Sequence, residues 1–265
     1  MKLGSQEGLV PGKDLPEKLD NLAAYGYEGI EFGGGDLEKR QDEIIKATEN
    51  HQVKPSAVCA GYPGMLLDSD PHERGRTIAG IRALLKAAAN IGAIGLVVVP
   101  AFGTPRIQDL SPYKSARQLE TELLVHLLKD LGGYAQEVGS IILLEPLNRY
   151  ETHYMRTLAD GVEICKQVNN PNVAIMADFF HMSIEERNIA DSIKANSDYI
   201  KHVHLADSTR EPPGYGHTDF KSGFKALRKI DYQHHMVLEC SVPGPGEVEL
   251  PKSAQYMKQW LQRRK

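Results

Sequence analysis

Short apolar runs alternate with longer amphipathic segments along the whole chain, and each run is predicted to form a strand. The runs lie at 2–8, 27–33, 54–60, 93–101, 141–146, 173–178, 200–207 and 235–240. In the first amphipathic segment Asp14 is a predicted N-cap, and Leu15, Leu19 and Leu22 form an apolar stripe. Eight strands alternating with helices predict a parallel sheet, and eight such units favour a closed (β/α)8 barrel.

The length and uniformity of the chain predict one domain, a single barrel spanning residues 1–265, since such barrels need about 250 residues. No linker or change in composition separates a second unit. The alternative fold, an open doubly wound sheet, requires a glycine-rich phosphate turn after its first strand. The only candidate, "EFGGGDL" at 31–37, lacks the GxGxxG spacing and is interpreted as a turn from strand to helix.

Composition excludes several classes of protein. With 25% charged and 41% hydrophobic residues, the chain is typical of a folded globular domain. Its net charge of −4 gives no reason to expect a nucleic acid or an anionic membrane as partner. No apolar run approaches the roughly 20 residues of a membrane span, and "MKLGSQEGLV" lacks a signal-peptide core. A cytoplasmic location is therefore expected, with Cys59, Cys165 and Cys240 as reduced thiols.

Acidic and histidine side chains stand at the ends of four consecutive predicted strands. "IILLEPLNRYE" delivers Glu145 to the end of the most apolar run, where Pro146 interrupts the strand. Counting back by twos turns Glu145 towards the barrel interior, and the same alternation turns Asp178, His204 and Glu239 inward. Because neighbouring strands lie about 4.8 Å apart, these four side chains are expected to converge at the carboxyl-end rim.

Three converging carboxylates repel one another. At an effective dielectric constant near 20, two charges 4 Å apart cost on the order of 4 kcal/mol. Either some of the groups hold protons or a cation lies among them. Taken singly, each residue also fits a buried salt bridge or a hydrogen-bonded strand end. As a set, three oxygen ligands and one imidazole indicate one divalent metal ion: Mn²⁺, Mg²⁺ or Co²⁺, with Zn²⁺ tolerated.

Five motifs, in this order, resemble those of the xylose isomerase-like barrel superfamily. They are "EPLNRYE", "ADFFHM", "HVHLADSTR", "PGYGHTDF" and "VLEC". The segment 70–101 also resembles the third helix and fourth strand of that group, so the resemblance covers most of the chain. The superfamily includes ketose 3-epimerases, hydroxypyruvate and inosose enzymes, and an AP-endonuclease branch. The closest resemblance is to the D-tagatose/D-psicose 3-epimerase type.

The resemblance implies roles for individual residues. Glu145, Asp178, His204 and Glu239 match the metal ligands of the superfamily, and the two glutamates match its acid–base pair. The ketose 3-epimerase pattern adds substrate-binding residues, which here are Glu151, His181 and Arg210. Glu151 is also expected to hydrogen-bond His181 and orient it.

Two branches of the superfamily fit less well. His204 stands where the hydroxypyruvate isomerase pattern has a glutamine. The nuclease branch needs histidines on the third and fourth strands, where this chain has residues 61–62 and 100–102, and a further histidine where it has Arg210. A DNA-repair enzyme is therefore disfavoured, in agreement with the absence of a basic patch in the sequence.

Three further residues near predicted strand ends are expected to contact the substrate. Tyr62 and Phe102 follow the third and fourth strands, where an aromatic ring excludes water or stacks on a sugar. Glu31, at the end of "GIEF", is expected to hold a substrate hydroxyl or a neighbouring loop. His202 is interpreted as a hydrogen-bonded layer residue below the metal and not as a ligand.

The sequence thus predicts a metal-dependent ketose 3-epimerase that acts through an enediolate. The alternatives are an inosose dehydratase or isomerase, a phosphoketose epimerase on the same site, and a barrel that binds metal and sugar without turnover. The expected partner is a small sugar. Barrels of this kind often associate, so a homodimer or homotetramer is expected, with no interface assigned.

Overall fold

The computed structural model describes residues 1–261 as a closed barrel of eight parallel strands arranged in chain order. The strands are β1 Lys2–Gln6, β2 Gly29–Gly33, β3 Lys54–Cys59, β4 Gly95–Val98, β5 Ile141–Leu144, β6 Val173–Asp178, β7 Ile200–Leu205 and β8 His235–Leu238. Pairing of β1 with β8, from Lys2 opposite His235 to Ser5 opposite Leu238, closes the ring. The predicted (β/α)8 barrel is confirmed.

Helices surround the barrel on its outside. They are α1 Leu15–Tyr25, α2 Leu37–Thr48, α3 Pro71–Asn90, α4 Ala116–Val138, α5 Leu158–Val168, α6 Phe179–Glu185, α7 Ile189–Ala195, α8 Phe220–Lys229 and α9 Gly246–Leu261. The predicted N-cap is confirmed, because the Asp14 carboxylate accepts a hydrogen bond from the backbone N–H of Glu17 at 3.0 Å. Gly26 ends α1 in the left-handed region, with φ of +89°. None of the helices in residues 1–261 is long and apolar enough to cross a membrane.

The predicted runs are longer than some strands. The fourth run extends over 93–101, whereas β4 contains only Gly95–Val98. Pro100 has no N–H to continue the ladder, so residues 99–115 form a long connection to α4 at the carboxyl-end rim. The first run extends over 2–8, whereas β1 ends at Gln6 and a short 3-10 helix, Glu7–Leu9, follows it.

The interior of the barrel is apolar in its middle layer and polar above it. Ala57, Val97, Leu143 and Met176 are buried and pack together inside the ring. Leu143 faces inward while Ile142 and Leu144 join the larger core under the helices, as alternation along β5 requires. The polar side chains of the carboxyl-end rim lie directly above this apolar layer.

Candidate metal centre and active site

Four side chains from four consecutive strand ends meet at the carboxyl-end rim. Asp178 is the last residue of β6, His204 lies in β7, and Glu145 and Glu239 directly follow β5 and β8. One ligand atom from each lies within 4.8 Å of all the others. The structure therefore brings together the four residues that strand alternation placed at one rim.

The chemistry of this cluster fits a divalent cation. His204 Nδ1 lies 3.3 Å from Glu239 Oε2, and 4.0 Å from both Glu145 Oε1 and Asp178 Oδ2. Asp178 Oδ2 and His204 Nδ1 are buried yet have no hydrogen-bond partner among residues 1–261. Since buried polar atoms almost always have partners, two unpartnered atoms aimed at one point indicate a ligand there. Three carboxylates and one imidazole are a donor set for Mn²⁺, Mg²⁺, Co²⁺ or Zn²⁺.

Neighbouring groups fix which atom of Asp178 and of His204 faces the centre. Asp178 also serves as the N-cap of α6, because its Oδ1 accepts from the backbone N–H of Phe180 at 2.6 Å. That bond leaves Oδ2 directed at the centre. On the opposite side, Glu31 accepts from His204 Nε2 at 3.0 Å and so turns Nδ1 inward. A carboxylate behind a metal-binding histidine fixes its tautomer and raises its basicity.

The prediction that Glu31 holds a substrate hydroxyl is corrected by its position. Its side chain is 1% exposed and accepts from His202 at 2.7 Å, from His204, and from Gln6 Nε2 at 3.0 Å. Glu31 lies beneath the cluster, with both oxygens engaged and sealed from solvent, and it does not line the open rim. His202 is bound to Glu31 and is not one of the four clustered residues.

We expect Glu31→Gln to lower the affinity of the protein for Mn²⁺ by about 10- to 100-fold, because an amide replaces the carboxylate that orients His204. Calorimetric titration of the chelated protein with Mn²⁺ measures this effect. Glu28→Gln, an exposed position just before β2, is the matched control. An unchanged dissociation constant in a folded Glu31→Gln protein would contradict the assigned role.

The two glutamates have unlike electrostatic surroundings. Burial, and then the Glu239 carboxylate, hold the pKa of Glu145 well above its usual range. Burial acts in the same direction on Glu239, but neighbouring His204 and Arg210 outweigh it and bring the pKa of Glu239 to about 2. Burial also raises the pKa of Asp178. A cation placed among these groups would relieve the desolvation and repulsion that they share.

His181 lies beside the cluster, and Asn148 orients it. The amide of Asn148 donates to Glu151 Oε1 and approaches His181 Nδ1, both at 2.8 Å, and the Asn148 backbone N–H donates to Nδ1 at 3.1 Å. Nδ1 therefore accepts, and the ring proton lies on Nε2, 3.8 Å from both Glu145 and Asp178. The expected direct bond between Glu151 and His181 is wrong, since those atoms are 3.9 Å apart and Asn148 bridges them.

Arg210 closes the cluster from the loop after β7. Its guanidinium lies 3.1 Å from Glu239 Oε2 and 3.6 Å from Glu151 Oε1, and it stacks 4.5 Å above the ring of Phe180. Its backbone adopts a φ of +59°, a conformation that costs a non-glycine residue energy and often occurs at functional sites. The Arg210 N–H donates to the carbonyl of Asp207 at 2.8 Å and supports this conformation.

The two rim aromatics differ in their surroundings. The hydroxyl of Tyr62 bonds to the backbone of Val99, accepting at 2.9 Å and donating at 3.4 Å, so its polar end braces the β4 connection. Phe102 is 48% exposed and presents its ring at the carboxyl-end rim. Of the two aromatic side chains, Phe102 is the more exposed.

A short stretch of paired backbone, here called the rim strap, joins residues 101–103 to residues 151–153. Gly103 N donates to the Glu151 carbonyl at 2.7 Å, and Gly103 pairs with Thr152. The ring of His153 connects the Gly103 carbonyl, at 2.8 Å, to the buried carboxylate of Glu120 on α4, at 2.9 Å. The rim strap therefore holds the backbone next to Phe102 and the backbone of Glu151 in fixed positions relative to each other.

Three residues of the site were missed by the sequence analysis. Gln6 donates to Glu31 and Glu239, Cys59 Sγ lies 3.7 Å from Glu239 Oε1, and Asn148 orients His181. Gln6 and Cys59 are the last residues of β1 and β3, so the rule that directed attention to the ends of strands five to eight could have found them. Asn148 lies within the quoted motif "EPLNRYE".

The structure defines a class of protein: a (β/α)8 barrel with a carboxylate–histidine metal-type cluster at its rim. The family model described as xylose isomerase-like TIM barrel matches residues 19–261, and the chain belongs to this family. The predicted family resemblance is thereby confirmed.

The relatives of this chain are sugar epimerases. The 3-dehydro-D-guloside 4-epimerase of Escherichia coli (strain K12) is 34% identical over 241 residues, which cover 90% of this chain and 92% of that protein. The D-psicose 3-epimerase of Enterocloster bolteae is 27% identical over 246 residues, covering 89% and 79%. The crystal structure of an apo 3-keto-D-glucoside 4-epimerase from E. coli superimposes with a TM-score of 0.89 at 31% identity, covering 98% and 99%.

Proposed function

We propose that the protein is a divalent-metal-dependent sugar epimerase that inverts a carbon next to a ketone. One observation carries the proposal: Glu145 and Glu239 reach the same cluster from β5 and β8, three strands apart around the ring. Inversion requires one group to remove a proton from one face of the carbon and another to return a proton to the opposite face. Two carboxylates approaching from different sides supply both groups.

The residues around the pair have distinct tasks. A divalent ion held by Glu145, Asp178, His204 and Glu239 would polarise the ketone as a Lewis acid and make the neighbouring C–H acidic. Glu145 and Glu239 exchange the roles of base and acid between the two directions of the reaction. Each proton move is completed at a carboxylate oxygen, and a positioned acid or base is typically worth about 10²- to 10⁴-fold in rate.

The remaining side chains bind and orient the sugar. The Nε2–H of His181 and the guanidinium of Arg210 are donors for oxygens of the substrate, and Glu151 is an acceptor for a hydroxyl. The contacts of Arg210 with Glu239 and Glu151 tie these groups together on one side of the cluster. Phe102 supplies an apolar face at the edge of the site.

Two substrate classes fit this chemistry. The first is a free ketose inverted at C3, as the sequence pattern predicted and as the D-psicose 3-epimerase relative suggests. The second is a 3-keto-glycoside inverted at C4, favoured by the 34% identical relative that matches nearly the full chain. In both names the inverted carbon adjoins the ketone, so the same pair of carboxylates serves either substrate.

Proton NMR in D₂O tests the proposal directly, with D-psicose and methyl 3-keto-D-glucoside as probes. The Mn²⁺-loaded protein should introduce one deuterium at the carbon next to the ketone and yield a new epimer, and chelation should abolish both signals. Loss of water with a new absorbing product would instead indicate a dehydratase. Absence of deuterium uptake from both probes and from a panel of free ketoses would refute the proposal.

A further inference from the structure

We propose that Gln6 is a specificity-determining residue whose side-chain carbonyl accepts a hydrogen bond from a hydroxyl of the sugar. The inference rests on the proposed function, because it assumes a sugar in the space beside Glu239. It assigns a new contact to the strand end of β1, a part of the rim that carries none of the four clustered ligand residues.

The orientation of the Gln6 amide is fixed by its two neighbours. Nε2 lies 3.0 Å from Glu31 Oε1 and 3.1 Å from Glu239 Oε1. An ionised carboxylate can only accept hydrogen bonds, so the NH₂ group must face both acids and donates one hydrogen bond to each. The ambiguity between oxygen and nitrogen that usually attends an amide is thereby removed.

The same constraint determines what the carbonyl end of the amide offers. Since Nε2 lies between two carboxylates, Gln6 Oε1 must face away from both. Among residues 1–261 it has no hydrogen-bond partner, and it is not one of the buried unpartnered atoms, so it keeps access to solvent. Gln6 is the last residue of β1, at the carboxyl-end rim where a substrate enters the barrel.

A fixed acceptor selects for a donor. Flipping the amide would place its carbonyl oxygen against the carboxylates of Glu31 and Glu239, which would repel it. The amide therefore stays in one orientation and always presents an acceptor to the open side. A sugar hydroxyl satisfies it, whereas a deoxy carbon leaves it unpaired. The Gln6 amide lies against the carboxylate of Glu239, one of the two groups proposed to move the proton. The hydroxyl therefore belongs to the part of the sugar close to the inverted carbon. One such hydrogen bond is worth roughly 3- to 10-fold in affinity.

A cycle of variants and substrate analogues tests the proposal. The Mn²⁺-loaded wild-type protein and Gln6→Met, which has a similar shape without donor or acceptor, are compared on D-psicose, methyl 3-keto-D-glucoside and their monodeoxy analogues. Dissociation constants are measured by calorimetry and kcat/KM by NMR. In the wild type one deoxy analogue should be weaker than its parent by roughly 3- to 10-fold, and in Gln6→Met this difference should vanish. The penalties for the other deoxy analogues should be equal in both proteins.

Gln52→Met, the same change at an exposed position before β3, should behave as wild type. An unchanged Mn²⁺ affinity in Gln6→Met shows that the metal cluster is intact. Equal penalties for every analogue in both proteins would overturn the role of Gln6, as would failure of both parent sugars to bind. Deuterium uptake without any Gln6-dependent penalty removes this inference and leaves the proposed epimerase. A Gln6-dependent penalty in binding without deuterium uptake would support the role of Gln6 and remove the proposed epimerase activity.

Discussion

Glu239→Gln should lower the rate of epimerisation by about 10²- to 10⁴-fold, because glutamine keeps the shape and one ligand oxygen of the side chain but cannot accept a proton. Gln6 donates to Glu239 Oε1 and Arg210 donates to Glu239 Oε2, so the single oxygen of the new amide keeps one of these two hydrogen bonds. The rate is measured by NMR with the Mn²⁺-loaded protein and saturating sugar.

A second readout separates loss of the base from general damage. With Glu145 intact, the Glu239→Gln protein should still exchange the proton of one epimer with D₂O and return deuterium to the same face. It should not exchange the corresponding proton of the other epimer. Glu145→Gln should show the reverse selectivity. Glu247→Gln, an exposed position in α9, is the control and should epimerise normally. Undiminished epimerisation by Glu239→Gln would refute the two-base assignment.

Asp178→Asn should change thermal stability in opposite directions with and without metal. In the chelated protein the substitution removes one of three acids whose ligand atoms lie within 4.8 Å of one another. Relief of that repulsion is worth up to about 4 kcal/mol, so the chelated variant should melt several degrees above the chelated wild type. The cap of α6 survives, since an asparagine Oδ1 can still accept from Phe180.

With Mn²⁺ at about 100 times its dissociation constant, the wild type should gain about 2.7 kcal/mol, and the variant should lose most of that gain. Differential scanning calorimetry with and without chelator measures both effects. Asp219→Asn is a matched control, because Asp219 also caps a helix, α8, but is exposed and outside the cluster. If the chelated Asp178→Asn protein melted below the chelated wild type, the repulsion argument would be wrong.

The convergence of Glu145, Asp178, His204 and Glu239 could be predicted from sequence because it depends on two regular features. Side chains alternate along a strand, and all parallel strands of a barrel end at one rim. Neither feature depends on loop conformation. Glu31 shows where this reasoning fails: β2 continues to Gly33, so Glu31 lies two residues before the strand end and one layer below the rim.

Contacts made by loops could not be predicted in the same way. A bond between Glu151 and His181 was expected because carboxylates commonly orient a nearby histidine, but a turn places Asn148 between them. That turn is held by a hydrogen bond from the backbone of Tyr150 to Asn148 Oδ1 at 2.9 Å, a local geometry that residue counting does not specify. The role of Gln6 was not predicted because an uncharged amide at a strand end has no titratable group that would indicate a functional site.

The rim strap has a consequence for how the carboxyl-end rim of this barrel can diverge in sequence. It fixes the connection between β4 and α4 at both ends, at Gly103 by backbone pairing and at Glu120 through His153. Residues 104–115 therefore form a segment that is held in place on both sides. Insertions, deletions or transplanted sequences within that segment are therefore expected to leave Glu151, Glu145 and Glu239 where they are. The surface around the rim can thus change in sequence while the metal-type cluster keeps its geometry.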